Sequence, residues 1–110
     1  MEAVRRGDIV TAAPPGAYGK PRPVLVVQHD AFAALPSVTV LPLTSDIQNA
    51  PLVRITVEPE ARNGLQRISQ VMVDKAVTLP RSKIGPRIGQ IDAAGMRAVN
   101  TALSRLLGLV

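Results

Sequence analysis

The chain has no cysteine, no tryptophan, one histidine (His29) and only two other aromatic residues, Tyr18 and Phe32. Without thiols it can form no disulfide framework, thiolate nucleophile or zinc ribbon. One imidazole and scattered acids leave too few ligands for a metal site, so neither metal nor cofactor is expected. The shortage of rings also argues against RRM and OB-type binders, which stack bases on several aromatic side chains. The N-terminal stretch MEAVRRGDIV lacks an apolar segment of signal-peptide length, and no window approaches a membrane span. A cytoplasmic protein with no membrane partner is the expectation.

What is present points to a folded, basic domain. Apolar residues make up 46% of the 110 and charged residues 19%, a globular balance, and residues 1–110 read as one domain. Lys and Arg number 13 against 8 Asp and Glu, a formal charge of +5 that favours polyanions. Nucleic acid is the first class of partner this implies, and acidic protein segments are the second.

The stretch GKPRPVLVVQHD, Gly19 to Asp30, sets four branched aliphatics directly after two cations and two prolines. Val24 to Val27 show no polar alternation, which predicts a strand buried on both faces. Pro21 and Pro23 lack ladder donors and belong at its mouth. Other strands are expected over 7–11, 38–43, 52–57 and 68–73, with short extended pieces around 76–79 and 84–90. A turn-rich loop fills 13–19, and Asp30 is placed to cap a brief helical turn over 31–35. Met96, Val99, Leu103, Leu106 and Val110 then step by three and four, the core-facing stripe of an amphipathic helix. Asp92 suits its N-cap and Gly108 its close. The pattern is mainly β with a C-terminal helix (α+β): a small, curled antiparallel sheet plugged by that helix.

In order along the chain stand Arg6-Gly7-Asp8-Ile9, Lys20-Pro21-Arg22-Pro23-Val24-Leu25-Val26-Val27-Gln28, Val40-Leu41-Pro42-Leu43-Thr44-Ser45, Gly64-Leu65 ahead of Ser69, Val71 and Asp74, and Ile88-Gly89-Gln90-Ile91-Asp92. This series resembles the MazF/PemK family of toxins from bacterial toxin–antitoxin pairs, over nearly the whole chain. The resemblance implies a small SH3-like barrel of the CcdB/MazF/PemK type, paired as a homodimer. It implies a metal-independent endoribonuclease acting on single-stranded RNA, and a cognate antitoxin whose tail blocks the RNA groove. Arg22 and Thr44 fall on functional positions of the family, and Asp74 matches an acidic position near the active site of several members. The chain departs from the family pattern twice. No Glu occurs in Gly16-Ala17-Tyr18-Gly19, where many members carry one, and Met72 stands where some have Arg.

RNA carries its own nucleophile, the 2′-OH, whose attack on phosphorus leaves a 2′,3′-cyclic phosphate and a 5′-hydroxyl. Catalysis needs an acceptor for the 2′ proton, donors for the charge growing on phosphorus, and a proton for the leaving oxygen. Arg22 suits the second of these needs, since its planar fork can hold two phosphate oxygens and the flanking prolines restrict the backbone beneath it. A guanidinium holds its proton too firmly to be a good general acid. Thr44 offers a hydroxyl at a strand end, either for phosphate or for its own turn, and Ser45 shares that ambiguity. Asp74 can orient Arg22, accept the 2′ proton, or serve as a surface partner of Lys75 or Arg67. Tyr18 is a candidate to stack a base, and Lys20, Arg54 and Arg67 are candidate phosphate contacts. His29, following a buried strand, reads as a hydrogen-bonded structural residue.

Two other functions fit the same fold class. A gyrase-poisoning toxin of the CcdB type would need a tail containing Trp, whereas this chain ends Leu107-Gly108-Leu109-Val110. A catalytically inactive nucleic-acid-binding barrel would bind RNA without cutting it.

Overall fold

The aliphatic run after Pro23 lies in the middle of an antiparallel sheet. The computed structural model describes residues 4–13 and 19–110, so most of the 13–19 loop, Tyr18 included, lies outside the described residues. The strands are β1 (Asp8–Ala12), β2 (Arg22–Val26), β3 (Ser37–Thr44), β4 (Arg54–Val57), β5 (Ser69–Met72), β6 (Val77–Pro80) and β7 (Ile84–Gln90), followed by helix α1 (Ala93–Leu106). They are ordered β4-β5-β3-β2-β1-β7, with β6 also paired to β3.

Ile9, Leu25 and Leu41 stand in register on β1, β2 and β3 and join one buried cluster with Val71, Val73, Val99 and Ala102. Their neighbours Val10, Val24, Val26 and Val40 point the other way, into a second cluster with Val38 and Leu79. Both faces of the central strands are therefore apolar, which is why the sequence shows no alternation there. Helix α1 covers the first cluster through Val99 and Ala102, with Met96 and Leu103 packed at its edge. The second cluster is enclosed chiefly by strands β1, β2, β3 and β6, with Val4 ahead of β1 packed against it.

One edge of β3 carries two ladders in succession. Leu43 and Thr44 pair with Val71 and Gln70 of β5, whereas Val40 back to Ser37 pair with Val77 to Pro80 of β6. Three positions on β3 separate Val40 from Leu43, but six on the opposite chain separate Val71 from Val77. The surplus is the 3₁₀ turn Val73–Lys75, which bulges out of the sheet and carries Asp74 with it. Pro42, which has no N–H to give, falls in the stretch of β3 left unpaired on that edge.

The outer strands β4 and β7 do not pair with each other. The long β4–β5 loop spans the gap between them: the Gln90 N–H donates to the Arg62 carbonyl at 2.9 Å. Buried Asn63 holds that loop in shape, its Oδ1 accepting from the Glu60 and Leu65 N–H groups and its Nδ2 donating to the Glu58 carbonyl. Gly64 has φ +69°, and a Cβ there would run into the Ile88 carbonyl, so the close approach of loop to β7 needs glycine.

Three local expectations change. The turn after β2 is capped by His29, whose Nδ1 accepts the Ala31 N–H at 3.0 Å, while Asp30 instead accepts the Arg6 N–H. Strand β5 stops at Met72 because Val73 begins the 3₁₀ turn. The helix is capped by Asp92 as expected, Oδ1 to the Gly95 N–H at 2.7 Å, but it ends at Leu106. Gly108 donates to the Arg105 carbonyl and Leu109 to that of Ser104, the paired bonds of a Schellman close. Leu106 and Val110 are consequently exposed rather than core, because the last turn has run beyond the cluster that Val99 and Ala102 fill.

Candidate active site

Where β2 begins and β3 ends, the two strands open onto a groove of about 1360 Å³. The β2/β3 register sets Val24 opposite Pro42; two residues further on, the same end of the sheet carries Arg22 and Thr44. One wall is the β4–β5 loop, Gly64 to Arg67, which Asn63 and β7 hold in place. The other is the turn from Met72 to Val77, displaced from the β3 ladder by the three-residue bulge. Four cations, Lys20, Arg22, Arg67 and Lys75, and two carboxylates, Asp46 and Asp74, line it, so the groove is cationic as a whole.

The Arg22 side chain is exposed and has no hydrogen bond or ion pair among the described residues, none of which neutralises its charge. The Thr44 Oγ1 accepts the Asp46 N–H at 3.0 Å, so the turn bond considered from sequence does form. That bond uses a lone pair and leaves the hydroxyl hydrogen to donate, with the oxygen already fixed in place. Ser45 lies beside it, exposed, on the groove.

Asp74 lines the groove, and its Oδ1 lies 3.3 Å from the Arg54 Nε. Its ion-pair partner is neither Arg22, Lys75 nor Arg67. Arg54 itself, a candidate phosphate contact from sequence, does not line the groove: its side chain is only 11% exposed and stands behind Asp74. It lies directly across the β4/β5 ladder from Met72. A guanidinium therefore reaches Asp74 from the neighbouring strand although position 72 has none. His29 is exposed and bonded to its own turn, away from the groove lining.

Of the residues singled out by sequence, the groove gathers Lys20, Arg22, Thr44, Ser45, Arg67 and Asp74. It adds Asp46 and Lys75, which sequence reasoning did not propose as ligand contacts. The signal for Asp46 was its place two residues after Thr44, where the receiving N–H of a hydroxyl-closed turn belongs.

Residues 5–107 match the family described as PemK-like, MazF-like toxin of type II toxin–antitoxin system. The chain belongs to this family. A probable endoribonuclease MazF of Mycolicibacterium smegmatis is 49% identical over 107 residues, covering 96% of this chain and 98% of that one. Endoribonuclease EndoA of Bacillus subtilis is 30% identical over 112 residues, covering 97% of both. Among solved structures, Mycobacterium tuberculosis toxin MazF-mt6 superposes with a TM-score of 0.79 at 28% identity, over 92% of this chain and 96% of that one. A mycobacterial endoribonuclease in complex with its cognate antitoxin gives a TM-score of 0.81 at 27% identity, over 98% of both chains. The PemK/MazF match thus spans the strands, the groove and the helix together.

Proposed function

We propose that this single toxin domain is a metal-independent endoribonuclease that cuts single-stranded RNA to 2′,3′-cyclic phosphate and 5′-hydroxyl ends. The observation that carries the reading is the groove, which brings an arginine with no side-chain partner among the described residues, an oriented hydroxyl and a carboxylate from three distant segments to one cationic surface. Arg22 stabilises the charge that grows on phosphorus as the 2′ oxygen attacks. Thr44 donates its hydroxyl hydrogen to a phosphate oxygen. Asp74 accepts the 2′ proton and later returns it to solvent. The O2′–P bond forms as the P–O5′ bond breaks, and the 5′ oxygen takes its proton from water. Lys20, Arg67 and Lys75 hold neighbouring phosphates.

The family and the antitoxin-bound relative support a cognate antitoxin as partner; a second copy of the toxin and a cytoplasmic setting complete the proposal. An acidic, initially flexible antitoxin segment has the right charge to cover Arg22 and its neighbours. The exposed Leu106, Leu107, Leu109 and Val110 give a further surface for burial on assembly. The decisive experiment incubates the purified protein with a long single-stranded RNA in excess EDTA. Discrete fragments with cyclic phosphate ends are expected; retardation without cleavage overturns the assignment.

A further inference from the structure

Of the phosphate contacts expected from sequence and described in the structure, Arg54 is the one that does not line the groove, and its position has a chemical cost. The side chain is 11% exposed, and its Nε has no hydrogen-bond partner among the described residues. The Asp74 Oδ1 lies within ion-pair range at 3.3 Å, but the N–H is not aimed at it, so charge rather than a directed hydrogen bond joins the two. A largely buried guanidinium with an unmet donor is expensive, and a buried ion pair gains little over well-packed apolar residues of the same volume. Fold stability alone is a weak reason to keep it.

The surroundings give a better one. Asp74 sits on the 3₁₀ turn that the β3 ladder expels, with its side chain 30% exposed and lining the groove. The Val73 N–H donates to the Val53 carbonyl at 2.9 Å, pinning that turn to the start of β4, where Arg54 follows. A carboxylate beside RNA phosphates is repelled by them, and a free aspartate on a turn can swing into solvent. Arg54 opposes both effects from behind: it offsets the negative charge locally and attracts Oδ1 inward. The Asp74 Oδ2 has no hydrogen-bond partner among the described residues, so the carboxylate keeps one oxygen for a ligand.

We propose that Arg54 is a positioning residue that fixes the Asp74 carboxylate as the hydrogen acceptor for the 2′-OH on the groove wall. The proposal rests on the ribonuclease reading given above. It is tested by single-turnover cleavage of a labelled oligonucleotide at saturating protein, alongside binding of its uncleavable 2′-deoxy analogue. Arg54→Met should slow cutting about ten- to hundredfold, the scale of a small misplacement of a catalytic group, and shift binding less than about threefold. Arg54→Lys should recover part of the rate, because charge rather than fork geometry makes the contact. On an Asp74→Asn background, Arg54→Met should add no further loss, since it acts through the missing carboxylate. Should circular dichroism show Arg54→Met unfolded, Arg54→Lys with and without Asp74→Asn reads the same coupling. Parental cutting rates in both Arg54 variants, or losses that multiply with Asp74→Asn, overturn the proposal while leaving the ribonuclease intact. A parental protein that does not cut RNA sinks the ribonuclease reading, and this inference with it.

Discussion

Replacing Arg22 by alanine isolates the electrostatic part of the mechanism. Among the described residues the guanidinium has no partner, so its loss orphans no buried acceptor, and the fold should survive. The effect on rate follows from the extra charge that phosphorus acquires in the transition state. Two unit charges about 4 Å apart interact by about 4 kcal/mol at an effective dielectric near 20, and by about 1 kcal/mol in bulk water. The groove is open on one side and walled by protein on the other, which sets the loss between these limits and toward the upper one. At about 1.4 kcal/mol per decade, the expected fall is two to three decades, the scale measured for removing one oxyanion donor. Arg22→Lys should recover only part, because a point charge cannot span two phosphate oxygens. The assay is single-turnover cleavage of a labelled oligonucleotide, with circular dichroism on each variant. A folded Arg22→Ala protein that cuts at the parental rate refutes the role given to this residue.

Thr44→Val keeps the shape but removes both the Asp46 contact and the free hydroxyl hydrogen, so cutting should slow about tenfold or more while RNA affinity barely moves; Thr44→Ser should restore it, and a Val variant of undiminished rate would exclude the hydroxyl. Gly64→Ala forces a Cβ into the Ile88 carbonyl at φ +69°, and denaturant melts should show a loss of more than about 1 kcal/mol, whereas an unchanged midpoint would mean the loop does not bear on β7. With four groove cations, binding of a short single strand should weaken with salt at a log–log slope of about −3, at about −0.7 per phosphate; a flat response would detach the net charge from the substrate.

The parts of this protein legible from sequence are those set by local pattern. Val24 to Val27 announce a doubly buried strand because no neighbour interrupts the apolar run, and both faces are indeed filled by separate clusters. Arg22 and Thr44 could be named because each sits in a short run of distinctive neighbours at a strand end. What resisted reading depends on the partner chain across a ladder. The Arg54 and Asp74 contact needs the β4/β5 register and the bulge between β5 and β6, and neither leaves a periodic trace. The helix end was misread for a related reason: Leu106 and Val110 keep the three-and-four step, but the surface they would cover stops short of them. At the end of β2, Asp30 is the commoner cap by type, and the imidazole of His29 won because Arg6 already occupies Asp30.

The pairing of β1 with β7 ties the start of the chain to its finish. Asp8 faces Gln90 in that ladder, and the Gln90 Nε2 donates to the buried Asp8 Oδ1 at 3.1 Å across 82 positions. Contacts of such separation carry a large loop-closure entropy and form slowly. The groove inherits this delay, because the wall holding Gly64 leans on Ile88 of the same late strand. Seating of that wall therefore depends on β7 having already joined β1.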